Sequence, residues 1–414
     1  MAAASASLDA RNREVVERIG RSVVQWTGVL PASQAVPALQ GRALLHAGPP
    51  LDGTAMCSAM ANAACGAVLY EGWAASIDGA RRMLQAGEIA LLSAHDHAAL
   101  GPMAGIVSPS MPVLVLENVT FGNRAYVTIN EGLGRTLRFG ANDPPVIERL
   151  RWLERSLGPM LGEAVRLAGP VDITEIQGRA VQRGDECHNR NKSATSLLIR
   201  KIAPWLVRTS FDREEVARAL AFLDGNDHAF LNFSMAAVKA TMAAAHEVSG
   251  SSVVTCMAAN GVTFGIKIGG RDRWYTAPAV LADGKYFEGY SQREANPVMG
   301  DSYISETCGL GGVALAFAPA IVRFIGGSVE EAFESTRRMY RITVAEHPRF
   351  LIPVMGFRGS PLGIDVRAVV ATGILPLINT GIAHRQPGVG QIGAGRFRPP
   401  MECFEEAAGE LPVE

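Results

Sequence analysis

Polar residues gather in a few short segments of this chain, and their types suit the handling of a small, negatively charged molecule. His95-Asp96-His97 follows the apolar run IALLS. Two imidazoles one residue apart on an extended segment would share a face, where they could hold a metal or move protons near neutral pH. No third ligand stands at useful spacing, so a metal site, an anion contact and an ordinary turn all stay open. Asn130-Glu131-Gly132 and Arg138-Phe139-Gly140-Ala141-Asn142 set a guanidinium, able to grip a carboxylate or phosphate through two parallel bonds, beside glycines that can expose amide donors. The same residues also make turns.

Gly184-Asp185-Glu186-Cys187-His188-Asn189-Arg190-Asn191 is strongly polar and runs into a helix carrying Leu197, Leu198 and Ile199, so its burial demands partners. Cys187 and His188 are adjacent, which is poor geometry for a nucleophile and its base on one helix face. Asn226-Asp227-His228 with Asn232 reads as a helix cap or a ligand contact. Asn296 precedes Gly309-Leu310-Gly311-Gly312, where a helix start could turn its amides toward an anion or simply pack closely. That glycine pattern is neither a dinucleotide fingerprint nor a Walker loop. Arg358, Asn379 and His384 stand beside glycine-interrupted turns near the end of the chain.

The elements that must position these groups alternate between strand and helix patterns. A helix is expected over 12–27, a short strand at Ala43–His46 ending in a turn that reaches Gly53, helices over 56–71 and 76–87, and strands in IALLS, MPVLVLENV and RAYVT. From Pro144 to Leu206 the pattern is helical, with an interruption near Gly158 and Pro159; strands return in SVVTCMAAN, TFGIKIG and WYTAPAVL. The expected fold class is α/β, a mixed multi-layer core with a mainly helical inserted subdomain. Its expected parts are an N-terminal α/β region over 1–143, a helical subdomain over 144–250 and a C-terminal α/β region over 251–414 packed on the first.

Composition narrows the partners. A chain of 414 residues with 48% hydrophobic content exceeds the size at which one core usually stops growing. With 39 basic and 40 acidic residues it has no field to attract nucleic acid or an acidic membrane. Few charges, 44 glycines and small-residue helices suit either tight layers or a homo-oligomer interface. Six scattered cysteines without a CxxC pair form neither a disulfide framework nor a zinc ribbon. The alanine-rich start lacks a signal pattern and Val313–Ile325 is short for a membrane span, so a cytoplasmic protein is expected.

Several segments together resemble the DUF1116 family, which includes AllG-like subunits associated with oxamate carbamoyltransferase in anaerobic allantoin degradation, a branch of purine catabolism. They are HAGPP at 46–50, EGWA at 71–74, HDHAALGPMAGIVSPSMPV at 95–113, NEGLGRTLRFGAN at 130–142, GDECHNRN at 184–191, GYSQREANPVMGDSYISETCGLGG at 289–312, FRGSPLGID at 357–365 and NTGIAHRQPGVGQIGAG at 379–395. The resemblance implies a role in passing a carbamoyl group between oxalurate or oxamate and phosphate or carbamoyl phosphate, beside an FdrA-like partner and a further small subunit. Such chemistry needs two anion-binding sets and stabilisation of oxygen charge at the attacked carbon. Arg138, Arg190 and Arg358 are the expected anion contacts, with Asn130, Asn142, Asn189, Asn191, Asn296, Asn379 and His384 as further substrate contacts. His95, His97 or His188 would move protons or polarise the carbonyl, and Glu131, with Asp185 and Glu186, would orient donors or hold a divalent metal if one is required. No cofactor motif is present. A metal-assisted hydrolase of small amides and a noncatalytic ligand-binding assembly subunit are the alternatives.

Overall fold

The computed structural model describes residues 2–51, 55–132, 134–325 and 327–411. Gly53, the expected end of the first turn, and Leu133, inside the NEGLG segment, lie outside the described residues.

One enclosed helix organises the molecule. Ala229–His246 reads AFLNFSMAAVKATMAAAH and is apolar almost all the way round, the pattern of a helix covered on every side. A five-stranded sheet lies against it, in the order Ala99–Leu100, Arg124–Thr128, Pro112–Asn118, Val24–Pro31 and Val171–Asp172. Trp26 of the sheet meets Phe233 of the helix edge to face, ring centroids 5.0 Å apart, which fixes their relative position through a specific aromatic pair. Val254–Asn260, buried at every position, brings a second sheet to the same helix, in the order Tyr275–Pro278, Thr263–Ile268, Val254–Asn260 and Met299–Gly300.

A three-stranded sheet orders Asp283–Tyr286, Gln391–Phe397 and Ile378–Ala383; the glycine-broken tail is therefore an antiparallel hairpin. Another three-stranded sheet pairs Ala90–Ser93 in parallel with Ala43–His46, which pairs antiparallel with Ile106–Val107. Thr343–Ile352 and Arg358–Ile364 form a separate two-stranded ribbon. Helices dominate 144–246, so the architecture is a mixed, multi-layer α/β core with a helix-rich insertion.

Local expectations differ from the structure where two tendencies compete. The first helix runs Ala2–Arg21 rather than to residue 27, and Val24–Pro31 is a strand. The run VVQWTGVL after Arg21 is rich in β-branched and aromatic side chains, and pairing with Pro112–Asn118 gives it a buried place. The interruption at Gly158 is a π turn over Leu153–Leu157 between the helices Pro144–Trp152 and Gly158–Ala168. Pro159 fits there because the first turn of a helical segment has no use for its missing N–H. Among the described residues, no helix is long and apolar enough to cross a membrane.

Candidate functional site

A cavity of about 380 Å³ lies between the start of the central helix, the Arg138 turn, the turn at His188 and Asn189, and the 378–397 hairpin. Arg138 sits in a 3₁₀ turn, Leu137–Phe139, that closes on Gly140 at φ 77°. A Cβ there would stand 2.7 Å from the Ala59 carbonyl oxygen, so glycine lets this turn press against the neighbouring helix. Glu131 holds the turn from behind, accepting the Leu137 amide at 2.7 Å and the Arg138 amide at 3.1 Å. The guanidinium donates through Nη2 to Gly132 O at 2.8 Å, while Nε has no hydrogen-bond partner among the described residues. Burial pushes Arg138 down and Glu131 up, and each charge partly offsets the penalty on the other.

His188 is held by a buried acidic cluster. Its Nδ1 lies 2.8 Å from Glu306 Oε1, which also accepts the amides of Gly312 at 2.8 Å and Asn379 at 3.1 Å. This leaves Nε2 as the ring nitrogen open to a ligand. Burial alone would pull His188 down, but Glu306, with help from Glu186, outweighs it and raises the pKa. Glu186 accepts the Arg190 amide at 2.5 Å and the Asn379 Nδ2 amide at 3.3 Å. Desolvation dominates there, pushing this carboxyl up to about 7. Asp185 is likewise pushed up by burial, to about 6, although it accepts the Ala194 amide at 2.8 Å and faces Arg190. Asn189 lines the cavity with its Nδ2 donor unpartnered among the described residues.

His228, on the same wall, has the opposite electrostatics. Burial first, then the charges of Arg138 and His188, lower its pKa to about 4, so it is neutral at pH 7. Two imidazoles whose surroundings drive them apart can divide the labour of donor and acceptor. The sequence marks His228 as a helix-cap candidate; its catalytic potential depends on Arg138, 90 positions earlier, which no spacing rule reveals.

The other expected residues take different places. Asn130 is a structural hub: it donates to Asn232 at 2.8 Å and accepts from Asn226 at 3.0 Å and from the Gly132 amide at 3.1 Å. Asn191 donates to His188 O at 2.7 Å, Arg190 Nε to Gly184 O at 3.0 Å, and Asn379 supports Glu186, so these three brace the cavity from behind. Asn142 Nδ2 donates to Asn62 O at 3.0 Å and Asn296 Nδ2 to Pro297 O at 2.7 Å; neither lines the cavity.

Arg358 stands outside the expected cluster. It makes an exposed pair with Glu346 at 2.7 Å across the two-stranded ribbon and lies over the Tyr340 ring. His384 accepts the Gln386 amide at 2.8 Å in an exposed turn. His95 and His97 do not share the face of an extended segment, because Ala94–His97 forms a 3₁₀ turn that ends on Ala98 at φ 54°. His95 instead reaches Asp301, with Nε2 3.2 Å from Oδ1, at a different cavity. Cys187 is fully buried and its thiol is pushed well above its ordinary value by burial and by Asp185 and Glu186, which suits packing and not nucleophilic attack. The glycines at 311 and 312 turn their amides to the protein itself, to Glu186 O and the Glu306 carboxylate, so they carry no anion of their own. Among the described residues, no three His, Cys, Asp or Glu side chains are arranged to hold a metal ion.

A family profile and a curated relative name the lineage, and a solved structure shares the fold. The family profile described as "Oxamate carbamoyltransferase subunit AllG" matches residues 89–302. The chain is 45% identical over 404 residues to a protein of Escherichia coli (strain K12) named "Oxamate carbamoyltransferase subunit AllG", covering 97% of this chain and 96% of that one. It is 42% identical to "Uncharacterized protein YahG" from the same organism, over 96% of this chain and 84% of the relative. A crystal structure of a conserved protein of unknown function from Enterococcus faecalis V583 superposes with a TM-score of 0.96 at 42% identity, covering 98% of this chain and 97% of that one. This chain belongs to the AllG family.

Proposed function

We propose that the chain is a subunit of an oxamate carbamoyltransferase and that the cavity at Arg138 and His188 takes part in the transfer. The observation that carries this reading is the pairing of unspent donors, Arg138 Nε and Asn189 Nδ2, with two oppositely tuned imidazoles around one space of about 380 Å³. In the synthetic direction the oxamate amide nitrogen attacks the carbamoyl carbon of carbamoyl phosphate. The carbon–oxygen bond to phosphate breaks, phosphate leaves with the electron pair, and the nitrogen gives up one proton; phosphorolysis of oxalurate is the reverse.

In this scheme Arg138 and Asn189 grip an anionic group of the substrate, and protonated His188 donates to the carbonyl oxygen as charge develops on it. Neutral His228 receives the amide proton. His97, half-buried in the turn after His95, has no part in it. The three-part division at residues 143 and 250 belongs to the same proposal, as do a cytoplasmic setting, self-association and an FdrA-like partner that completes the enzyme. The description of the 45% identical relative as a subunit supports activity that depends on other chains.

The test is reconstitution with candidate partner subunits. Carbamoyl phosphate plus oxamate should release phosphate and form oxalurate with wild-type chain, and Arg138→Met or His188→Gln should lose most of that turnover. Wild-type turnover in both variants, or no reaction and no calorimetric binding of either compound by the reconstituted complex, overturns the reading.

A further inference from the structure

A second polar cavity, of about 450 Å³, stands apart from the first and plays no part in the transfer scheme above. The last two turns of the central helix present Lys239, Met242, Ala243 and His246 to it, at spacings of three, four and seven that put them on one helix face. Opposite them stand Thr255, Cys256 and Lys267 from the second sheet, with His95 and Asp96 from the 3₁₀ turn.

Every acid at this cavity already has a partner. Asp96 binds the Lys267 ammonium at 2.7 Å and the Trp274 indole N–H at 3.0 Å. Asp272 lies 3.4 Å from His246 Nε2, whose Nδ1 meets the Thr255 hydroxyl at 2.7 Å. Asp301, behind the wall, accepts the amides of Gly48 at 2.7 Å and Gly101 at 2.8 Å and faces His95. Among the cations Lys239 differs: half-buried, its ammonium has no hydrogen bond or ion pair among the described residues, and burial pushes its pKa down against the pull of Cys256, Asp96 and Asp301. It projects from a helix whose residues are buried apart from Lys239 itself, Ala243 and His246 on the same face. His95 adds a buried imidazole whose Nδ1 is also unpartnered, and the Cys256 thiol lies within electrostatic reach of both groups. An ammonium without an ion pair and a buried imidazole facing one chamber favour a negative group between them, since Cys256, Asp96 and Asp301 act on Lys239 only from a distance.

We infer that this chamber is a second binding site, for a small oxyanion of the carboxylate or phosphate class, with Lys239 as its principal charge and the Cys256 thiol at its edge. The site is distinct from the Arg138 cavity and does not rest on the proposed transfer reaction.

Cys256 makes the inference testable without knowing the natural ligand. Iodoacetate is a small carboxylate and iodoacetamide its neutral counterpart; each forms a sulfur–carbon bond to the thiol as the carbon–iodine bond breaks, iodide leaves and the thiol proton is released. Full-length chain is treated with each reagent, and labelling at Cys256 and at the half-buried Cys57 is followed by peptide mass mapping. Relative to Cys57, Cys256 should prefer iodoacetate to iodoacetamide. Lys239→Met should lower that preference by about tenfold, as loss of one nearby charge implies, and Lys239→Arg should keep it. In wild-type chain, millimolar inorganic phosphate or acetate should slow labelling at Cys256 and not at Cys57; whichever protects at the lower concentration identifies the oxyanion. If Lys239→Met fails to fold, wild-type protection and the arginine variant decide the matter. An unchanged preference in folded Lys239→Met, no protection by either anion, or a Cys256 inert to both reagents overturns the inference.

Discussion

The two cavities meet the same central helix but keep their charges differently. At the first, carboxylates are buried without enough cations: Glu186, Asp185, Glu306 and Glu131 face His188, Arg190 and Arg138, and burial drives Asp185 and Glu186 toward neutral pH. At the second, each acid has a close partner and the unmatched group is an ammonium. The contrast shows that an anion site can be prepared in two ways. One fixes donors on a backbone braced by buried acids, giving direction; the other leaves a flexible cation in a chamber, giving charge with little orientation.

That contrast can be broken first at Arg138. Arg138→Met should lower kcat/KM of the reconstituted transferase by at least about 100-fold, on the order of 3 kcal/mol, because a buried charge-assisted contact is lost and Glu131 is left behind. Arg138→Lys should recover only part, since an ammonium lacks the planar fork. The anionic preference at Cys256 should survive both variants, and its loss in either would mean that the chambers are not separate sites.

A second probe reads the buried acids through stability. Glu186 holds its proton more tightly in the folded chain, at about 7, than at its ordinary 4.5. Its contribution is therefore complete below about pH 4.5 and is lost as pH rises through about 7, with a total on the order of 3 kcal/mol. Glu186→Gln mimics the protonated form, so denaturant unfolding should show the variant gaining on wild type between pH 5 and pH 8. Parallel stability curves across that range contradict a buried, protonated Glu186.

Glu306→Gln should have a smaller effect, shifting the pH profile of the reconstituted enzyme. Without that carboxylate His188 loses its main support for the imidazolium, so the limb requiring protonated His188 moves to lower pH. A profile that stays in place detaches His188 from the rate. Arg358→Ala should change least, with activity intact and stability altered by less than about 1 kcal/mol, because its pair with Glu346 is exposed. A loss of substrate binding in that variant would return Arg358 to the site.

The sequence was most readable where one local pattern met no competitor. Ala43–His46, the helix Ile77–Gln85 with its Ser76 cap and the strand Thr263–Ile268 are set by short apolar runs or capping chemistry. Polar segments were readable as segments, but not their mutual positions: Arg138, His188 and Asn189 converge, whereas Arg358, equally well placed beside glycines, is spent on Glu346. The difference depends on which neighbour takes the guanidinium, and that neighbour arrives through strand pairing. His228 and Lys239 were obscured for a similar reason. One reads as a cap and the other as a lone charge in an alanine-rich helix, and each gains significance only from groups brought by other elements.

Asp301 stitches distant stretches of chain together through the Gly48 and Gly101 amides and His95, and its immediate successor, Ser302, faces the Arg138 side. Pro102 and Met103, just past Gly101, face that side too. A partition pinned by one carboxylate cannot be remodelled for one compartment alone. Any replacement at position 301 would disturb both rooms together, so an altered ligand preference in either would have to arise elsewhere along its walls.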